Sequence, residues 1–211
     1  MFVTDIVEID KKKSKVYIDN EFAFALYKGE LHSYHIKKDA EISLTDYEII
    51  TKEILPKRAT KRAMNLLKER SYTKMQLVQK LKDNYYLDEY IEGAVSYVES
   101  YGYIDDFRYA SDFITYRASQ LSKRQIEQKL MQKGIDSKTI AHAFESFYED
   151  GNEVEEEEQI QSFLKKKNYI FLEDEKQKQK VIASLLRKGF SMESIKKVSR
   201  TLESEMQENC P

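Results

Sequence analysis

The pattern of apolar and polar residues changes character once along the chain, near Ser43. Before that point apolar residues tend to alternate. Val3, Ile6, Val7 and Ile9 fit one strand, and Val16 and Ile18 begin a second. Phe22, Phe24 and Leu26 continue with period two, which predicts that these three share one face. Asp19 and Asn20 stand between the last two runs. Both residue types tolerate positive φ, so a tight turn is predicted there. From Ser43 onward the spacing is helical: "SLTDYEIITKEIL" places Leu44, Tyr47 (or Ile50) and Ile54 at helical intervals, and Pro56 ends or restarts a helix.

The helical part then repeats itself. "TKMQLVQKLKDNYYLDEYI" from Thr73, "SKRQIEQKLMQKGIDSKTI" from Ser122 and "QKQKVIASLLRKGFSMESI" from Gln177 share one frame. Leu81, Leu130 and Leu185 fall in one slot, Tyr86, Ile135 and Phe190 in the next, and Ile91, Ile140 and Ile195 in the last. The offsets, about 49 and 55 residues, lie in the range of helical arrays.

Elementary chemistry accounts for the frame. Thr73 with Gln76, and Ser122 with Gln125, have capping-box spacing and start a helix. Leu77 and Leu81, like Ile126 and Leu130, are one turn apart on its apolar face. Gly134 and Gly189 offer the left-handed residue that closes it, and Asp88, Asp136 and Ser191 are suited to cap the next helix. Each copy also has a preceding helix, marked by Ala59, Ala63 and Leu66, by Ala110 and Ile114, and by Ile160 and Leu164. The predicted fold is mainly α: tandem three-helix-bundle repeats in an elongated, curved array, behind a small β-rich N-terminal extension. The predicted boundaries are 1–43 for the extension, 44–106 and 107–150 for the first two modules, and 151–211 for the third module and tail.

Composition narrows the chemistry. Six Gly and two Pro favour long helices over a loop-rich fold. Cys210 is the single cysteine, which excludes an internal disulfide or a cysteine-based zinc site. No apolar run is long enough to span a membrane, and "MFVTDIVEIDKKKSK" lacks a signal-peptide pattern, so a cytoplasmic setting is expected. No phosphate loop, dinucleotide glycine pattern or nucleophile motif occurs. His32 and His35 lack a third ligand for zinc, and the acidic stretch after Tyr148 lacks calcium-loop spacing. In "GYIDDFRYASDFI", Asp105 and Asp106 could pass for a catalytic pair. Adjacent helical residues point about 100° apart, however, so their carboxylates do not converge, and they read as the start of a helix. No cofactor and no enzymatic activity are expected.

The formal net charge of −2 conceals segregation. Lys57 to Lys82 is basic but for Glu69, Asp83 to Asp106 is acidic, and basic residues return at Arg108, Arg117, Lys123, Arg124, Lys129 and Lys133. Acids dominate from Asp136 to Glu158, and the last repeat is basic again. Stacked repeats would bring such runs to opposite faces, one of them suited to DNA phosphates.

The Gly-Tyr-aliphatic-Asp-Asp-x-Arg-aromatic-Ala block at Gly102–Ala110, the capped helix before "KGID" and the upstream "RSYTKMQLVQKL" together resemble the RecX family of bacterial recombination regulators. The resemblance covers roughly residues 59 to 204, and the β-rich extension is similar to that of low-GC Gram-positive members. The chain departs from the family at Ser122, where Gly-Pro or Gly-x is common. The resemblance implies a non-enzymatic protein that binds the RecA–DNA filament; a monomer with weak non-specific contact to single- and double-stranded DNA is expected. The resemblance also implies that the protein restrains strand exchange, ATP turnover and co-protease function. Arg58, Arg62, Arg70, Lys74, Arg117, Lys123 and Arg124 are the expected contact residues, their charged heads reaching solvent. The alternative is a helix-turn-helix transcription regulator using 122–147, although Lys138, Glu145 and Glu149 are poorly suited to reading bases beside phosphates.

Overall fold

A computed structural model describes residues 1–208, the side chains of 206–208 aside, so Cys210 lies outside the described residues. Two compact units divide the chain, 1–105 and 106–211.

The first unit begins with β1 (Phe2–Glu8), β2 (Lys13–Ile18), β3 (Glu21–Tyr27), a short α1 (Lys28–Ser33) and a two-residue β4 (Ala40–Glu41). They form an antiparallel sheet in the order β3-β2-β1-β4. Asp19 and Asn20 take φ of 51° and 71°, the turn that the sequence predicts. The single face expected for Phe22, Phe24 and Leu26 does not survive. Val16 pairs with Phe24 and Tyr17 with Phe22, so Ala23 is a bulged residue. The bulge shifts the alternation by one. Phe24 and Leu26 are buried, whereas Phe22 lies edge-on to Tyr17 at 5.9 Å.

Helix α2 (Leu44–Glu48) runs through a π-helical turn (Ile49–Ile54) into α3 (Leu55–Glu69). Pro56 has no N–H to offer the carbonyl four residues earlier, and the widened turn stands directly before it. Helix α4 (Lys74–Lys82) carries the full capping box: Gln76 N–H donates to Thr73 Oγ1 (3.2 Å) and Thr73 N–H to Gln76 Oε1 (3.3 Å). Tyr85, at φ 65°, takes the left-handed place held by glycine in the other copies. The cap expected from Asp88 is absent. The cap slot falls on Leu87, whose side chain accepts no cap bond, and Asp88 moves into the first turn of α5 (Asp88–Ser100), paired with Lys82 at 2.9 Å.

The second unit holds α6 (Asp106–Arg117), α7 (Lys123–Gln132), α8 (Ser137–Glu149), α9 (Glu156–Lys166), a 3-10 turn (Tyr169–Phe171), α10 (Glu175–Arg187) and α11 (Met192–Glu208). Asp106 sits in the first turn of α6 and Asp105 just before it, where negative charge meets the helix dipole. Gly134 (φ 86°) and Gly189 (φ 90°) are left-handed. Asp136 Oδ1 accepts the N–H of Lys138 and Thr139 (2.9 and 3.0 Å), and Ser191 Oγ that of Ser194 (2.9 Å), as expected of caps.

The repeat slots are core. Leu81, Leu130 and Leu185 are fully buried, each contributing about 1.5–3 kcal/mol of burial. In the first unit Val16, Phe24 and Leu26 of the sheet share one cluster with Ala59, Leu77, Leu81 and Ile91. Residues 1–43 and 44–106, divided by pattern, thus have a common core. The second unit has two clusters, one over Ala110–Phe147 and one over Ile160–Leu202. Polar contacts join its two repeats. Ser122 Oγ, while accepting from Gln125 N–H (3.3 Å), donates to the Lys188 carbonyl at 2.7 Å. Lys123 N–H donates to Glu156 Oε1 (2.9 Å), and Gln159 Nε2 to the Ala118 carbonyl (2.7 Å).

Candidate nucleic-acid interface

Helices α6 and α7 form a concave groove lined by Phe113, Arg117, Leu121, Lys129, Gln132 and Lys133. Ile126 and Leu130 point α7 into the core, which leaves Lys129 and, one turn on, Gln132 and Lys133 on another face. Gln120 Oε1 accepts from Arg117 Nη1 (2.7 Å), and the guanidinium lies 4.9 Å from the Tyr116 ring centre. Lys133 Nζ lies 5.6 and 5.8 Å from the ring centres of Tyr109 and Phe113. Three cations, two apolar side chains and no carboxylate among the described lining residues suit a phosphate backbone with a base against the ring.

The seven contact residues expected from sequence do not share one environment. Arg70 is exposed, its guanidinium 4.5 Å from the Tyr72 ring centre. Lys74 is paired with Glu99 at 2.9 Å. Arg124 is exposed on α7, its Cβ next to Gly189. Lys123 keeps its head over the rings of Phe144 and Tyr148 (5.1 and 5.4 Å), in a groove walled by Glu153 and Glu155–Glu158. Its surroundings are acidic, contrary to the expectation of a basic face.

Arg58 and Arg62 depart furthest from the expected exposure. Arg58 forms an ion pair with Glu30 and stacks 5.0 Å from the Tyr27 ring centre, with its side chain 15% exposed. Arg62 is half-buried. The Arg58 head is thus covered by Glu30 and Tyr27 rather than solvated. Lys13 joins them from β2, donating to the Asn84 carbonyl at 2.8 Å. Burial, and then the nearby Arg58 charge, lowers its pKa below the ordinary lysine value.

Sequence reasoning passed over Lys129, Lys133 and Phe113 as a set. Their signal was the four-residue spacing of the two lysines beside a helix with an aromatic stripe. It also passed over a tyrosine ladder at the end of α5: Tyr97, Tyr101 and Tyr103 are exposed, with Tyr97 tilted against Tyr101 at 4.8 Å and Tyr101 stacked on Tyr103 at 6.3 Å. The negative charge that Tyr101 would carry, and its hydrogen bond, raise the pKa of the Tyr97 phenol. No group of three or more His, Cys, Asp or Glu able to hold a metal occurs among the described residues. No helix among them is long and apolar enough to cross a membrane.

Comparison with known proteins bears on this arrangement. The family models described as RecX second and third three-helix domains match residues 105–143 and 155–198. A curated protein, regulatory protein RecX of Caldanaerobacter subterraneus, is 33% identical over 199 residues, covering 93% of this chain and 98% of that protein. The chain belongs to the RecX family. Regulatory protein RecX of Clostridium acetobutylicum is 29% identical, covering 96% of this chain and 97% of that one. A crystal structure of regulatory protein RecX has the same fold at a TM-score of 0.63, with 23% identity over 94% of this chain and 98% of that one. RecX from Lactobacillus salivarius, at a TM-score of 0.57 and 20% identity, covers 71% of this chain and 97% of that one. The family is one of regulatory proteins, and the three-helix repeat is its shared architecture.

Proposed function

We propose that this RecX-family protein regulates homologous recombination by binding the RecA–DNA filament non-covalently, as a monomer in the cytoplasm, and restrains RecA activity. The observation that carries the reading is the groove between α6 and α7, with Arg117, Lys129 and Lys133 beside Phe113 and no acid in its lining. Cations on rigid helices release condensed counterions from a phosphate backbone whatever its sequence, which suits a partner coated on DNA of any sequence. Arg124 adds a further exposed cation within the second unit, Arg70 and Lys74 are the first unit's own basic contacts, and the acidic runs are left to meet protein. A helix-turn-helix regulator is disfavoured by the exposed face of α8, which carries Glu145 and Glu149.

The test is RecA strand exchange with this protein at substoichiometric ratios, alongside fluorescence anisotropy on single-stranded DNA and on RecA-coated DNA at several salt concentrations. The wild type is expected to slow exchange. The triple variant Arg117→Glu, Lys129→Glu, Lys133→Glu is expected to keep its circular dichroism, to bind both probes more weakly and to show a shallower salt slope. Unchanged binding and slope in the triple variant would place the contact surface elsewhere.

A further inference from the structure

We propose that the junction of the N-terminal sheet with α3 is a binding site for a compact oxyanion, a phosphate group, held by Arg62, Arg58 and Lys13. Three cations from two distant stretches of sequence come together there: Lys13, on the first strand of a hairpin, lies 5.3 Å from the Tyr86 ring centre, and Arg58 and Arg62, on successive turns of α3, are near enough to act on its charge. One carboxylate, Glu30, is paired with Arg58. Asp10 stays at the rim, accepting the N–H groups of Lys12 and Lys13 (2.7 and 2.9 Å).

The donors are not satisfied by the protein. Arg58 Nη1 and Arg62 Nε are both buried with no hydrogen-bond partner. A guanidinium N–H removed from water without an acceptor is costly, and an unpaired buried cation more so. Tyr27 and Tyr86 wall the cluster, and neither offers a compensating charge. Burial pushes the Tyr86 phenol up to about 12, so it stays protonated at neutral pH. An oxyanion supplies both missing things at once: lone pairs for the two guanidinium edges and negative charge for the excess cations. Tyr27 is exposed and Arg58 and Glu30 are not fully covered, so a group as small as phosphate has an edge to enter by. The site lies within the first unit and is separate from the groove between α6 and α7, so it does not depend on the function proposed above.

The phosphate has two possible sources, a free phosphate or a phosphodiester of DNA. The experiment distinguishes them with full-length protein in a phosphate-free buffer at constant ionic strength. Melting temperature and 31P line width are followed against inorganic phosphate, and anisotropy against oligo(dT). Free phosphate is the source if phosphate raises the melting temperature and broadens the 31P line in the wild type, with both effects lost in Arg62→Met. A phosphodiester is the source if oligo(dT) binding alone falls in Arg62→Met. Arg62→Met removes the unpartnered donor and is expected to melt no lower than the wild type without ligand. Should it fail to fold, Arg62→Lys keeps the charge and loses the fork, and is expected to weaken the response several-fold. If no response to either probe depends on residue 62, water alone fills the junction and the proposal is overturned.

Discussion

The first repeat and the two that follow fill the same slots and are held together by different forces. In the first unit the repeat is welded to a sheet: Val16, Phe24 and Leu26 lie in one apolar cluster with Leu77 and Leu81. In the second unit each repeat keeps its own cluster. The joint between them is polar and close, built from Ser122 on the Lys188 carbonyl, Glu156 on the Lys123 N–H and the approach of Arg124 to Gly189. Apolar burial is non-directional and tolerates rearrangement, whereas hydrogen bonds and a bare glycine Cα fix geometry. A three-helix repeat is too small to hold much core alone, and this protein answers that shortage with mass at one end and fit at the other.

The sharpest way to break the comparison is to hollow equivalent slots. Leu81→Ala and Leu130→Ala should each cost about 2–5 kcal/mol in denaturant unfolding. Their reach should differ. Amide exchange in β2 and β3 should accelerate in Leu81→Ala and stay at wild-type rates in Leu130→Ala. Equal loss of sheet protection in both variants would show that the two units melt as one.

A smaller effect isolates the joint. Gly189→Ala adds a Cβ at φ 90° that would meet Arg124 Cβ and Ser122 Oγ at 3.0 Å. Gly151, at φ 78°, has open space around it. Gly189→Ala should therefore be the more destabilising, by about 1–3 kcal/mol for the left-handed strain plus the crowding, and Gly151→Ala should show the strain alone. Equal melting temperatures for the two would mean that the close approach contributes nothing.

The smallest effect concerns Asp106. As a first-turn charge it should contribute about 0.3–1 kcal/mol, so Asp106→Asn should shift the melting curve by a degree or two and leave the proposed filament binding unaffected. A folded Asp106→Asn protein that loses a metal-dependent nuclease activity would refute the structural reading of "DD".

What could be read from sequence was whatever repeats. Leu81, Leu130, Leu185 and the isoleucines at 91, 140 and 195 are core because three copies of one spacing specify one packing. The Asp19–Asn20 turn was legible because its backbone demands few residue types. What escaped depends on one-residue shifts or on distant partners. The bulge at Ala23 turns Phe22 over, and nothing local to "EFAFAL" announces it. Asp88 misses the cap by one position because Leu87 holds that slot. Arg58 looks like any surface arginine until a glutamate 28 residues earlier is folded against it, and Lys123 looks basic until α9 brings its glutamates alongside. Charge runs report composition, but burial and partner decide what a charge can reach.

The two bulges of the small sheet bear on solubility. Strand β4 covers β1 only at Phe2 and Val3, which leaves the stretch from Asp5 to Glu8 as an edge. An edge is a template on which another chain can add a strand. Here the register slips beside Thr4, the Ile6 N–H is taken by the Asp5 carboxylate at 2.9 Å, and Lys38 lies 2.9 Å from that same carboxylate. Across the sheet, Ala23 breaks the outer strand β3. An incoming strand would meet twisted backbone and a charged pair in place of a straight row of peptide groups. The irregularities that spoil the hydrophobic alternation also guard the protein against polymerising through its own sheet.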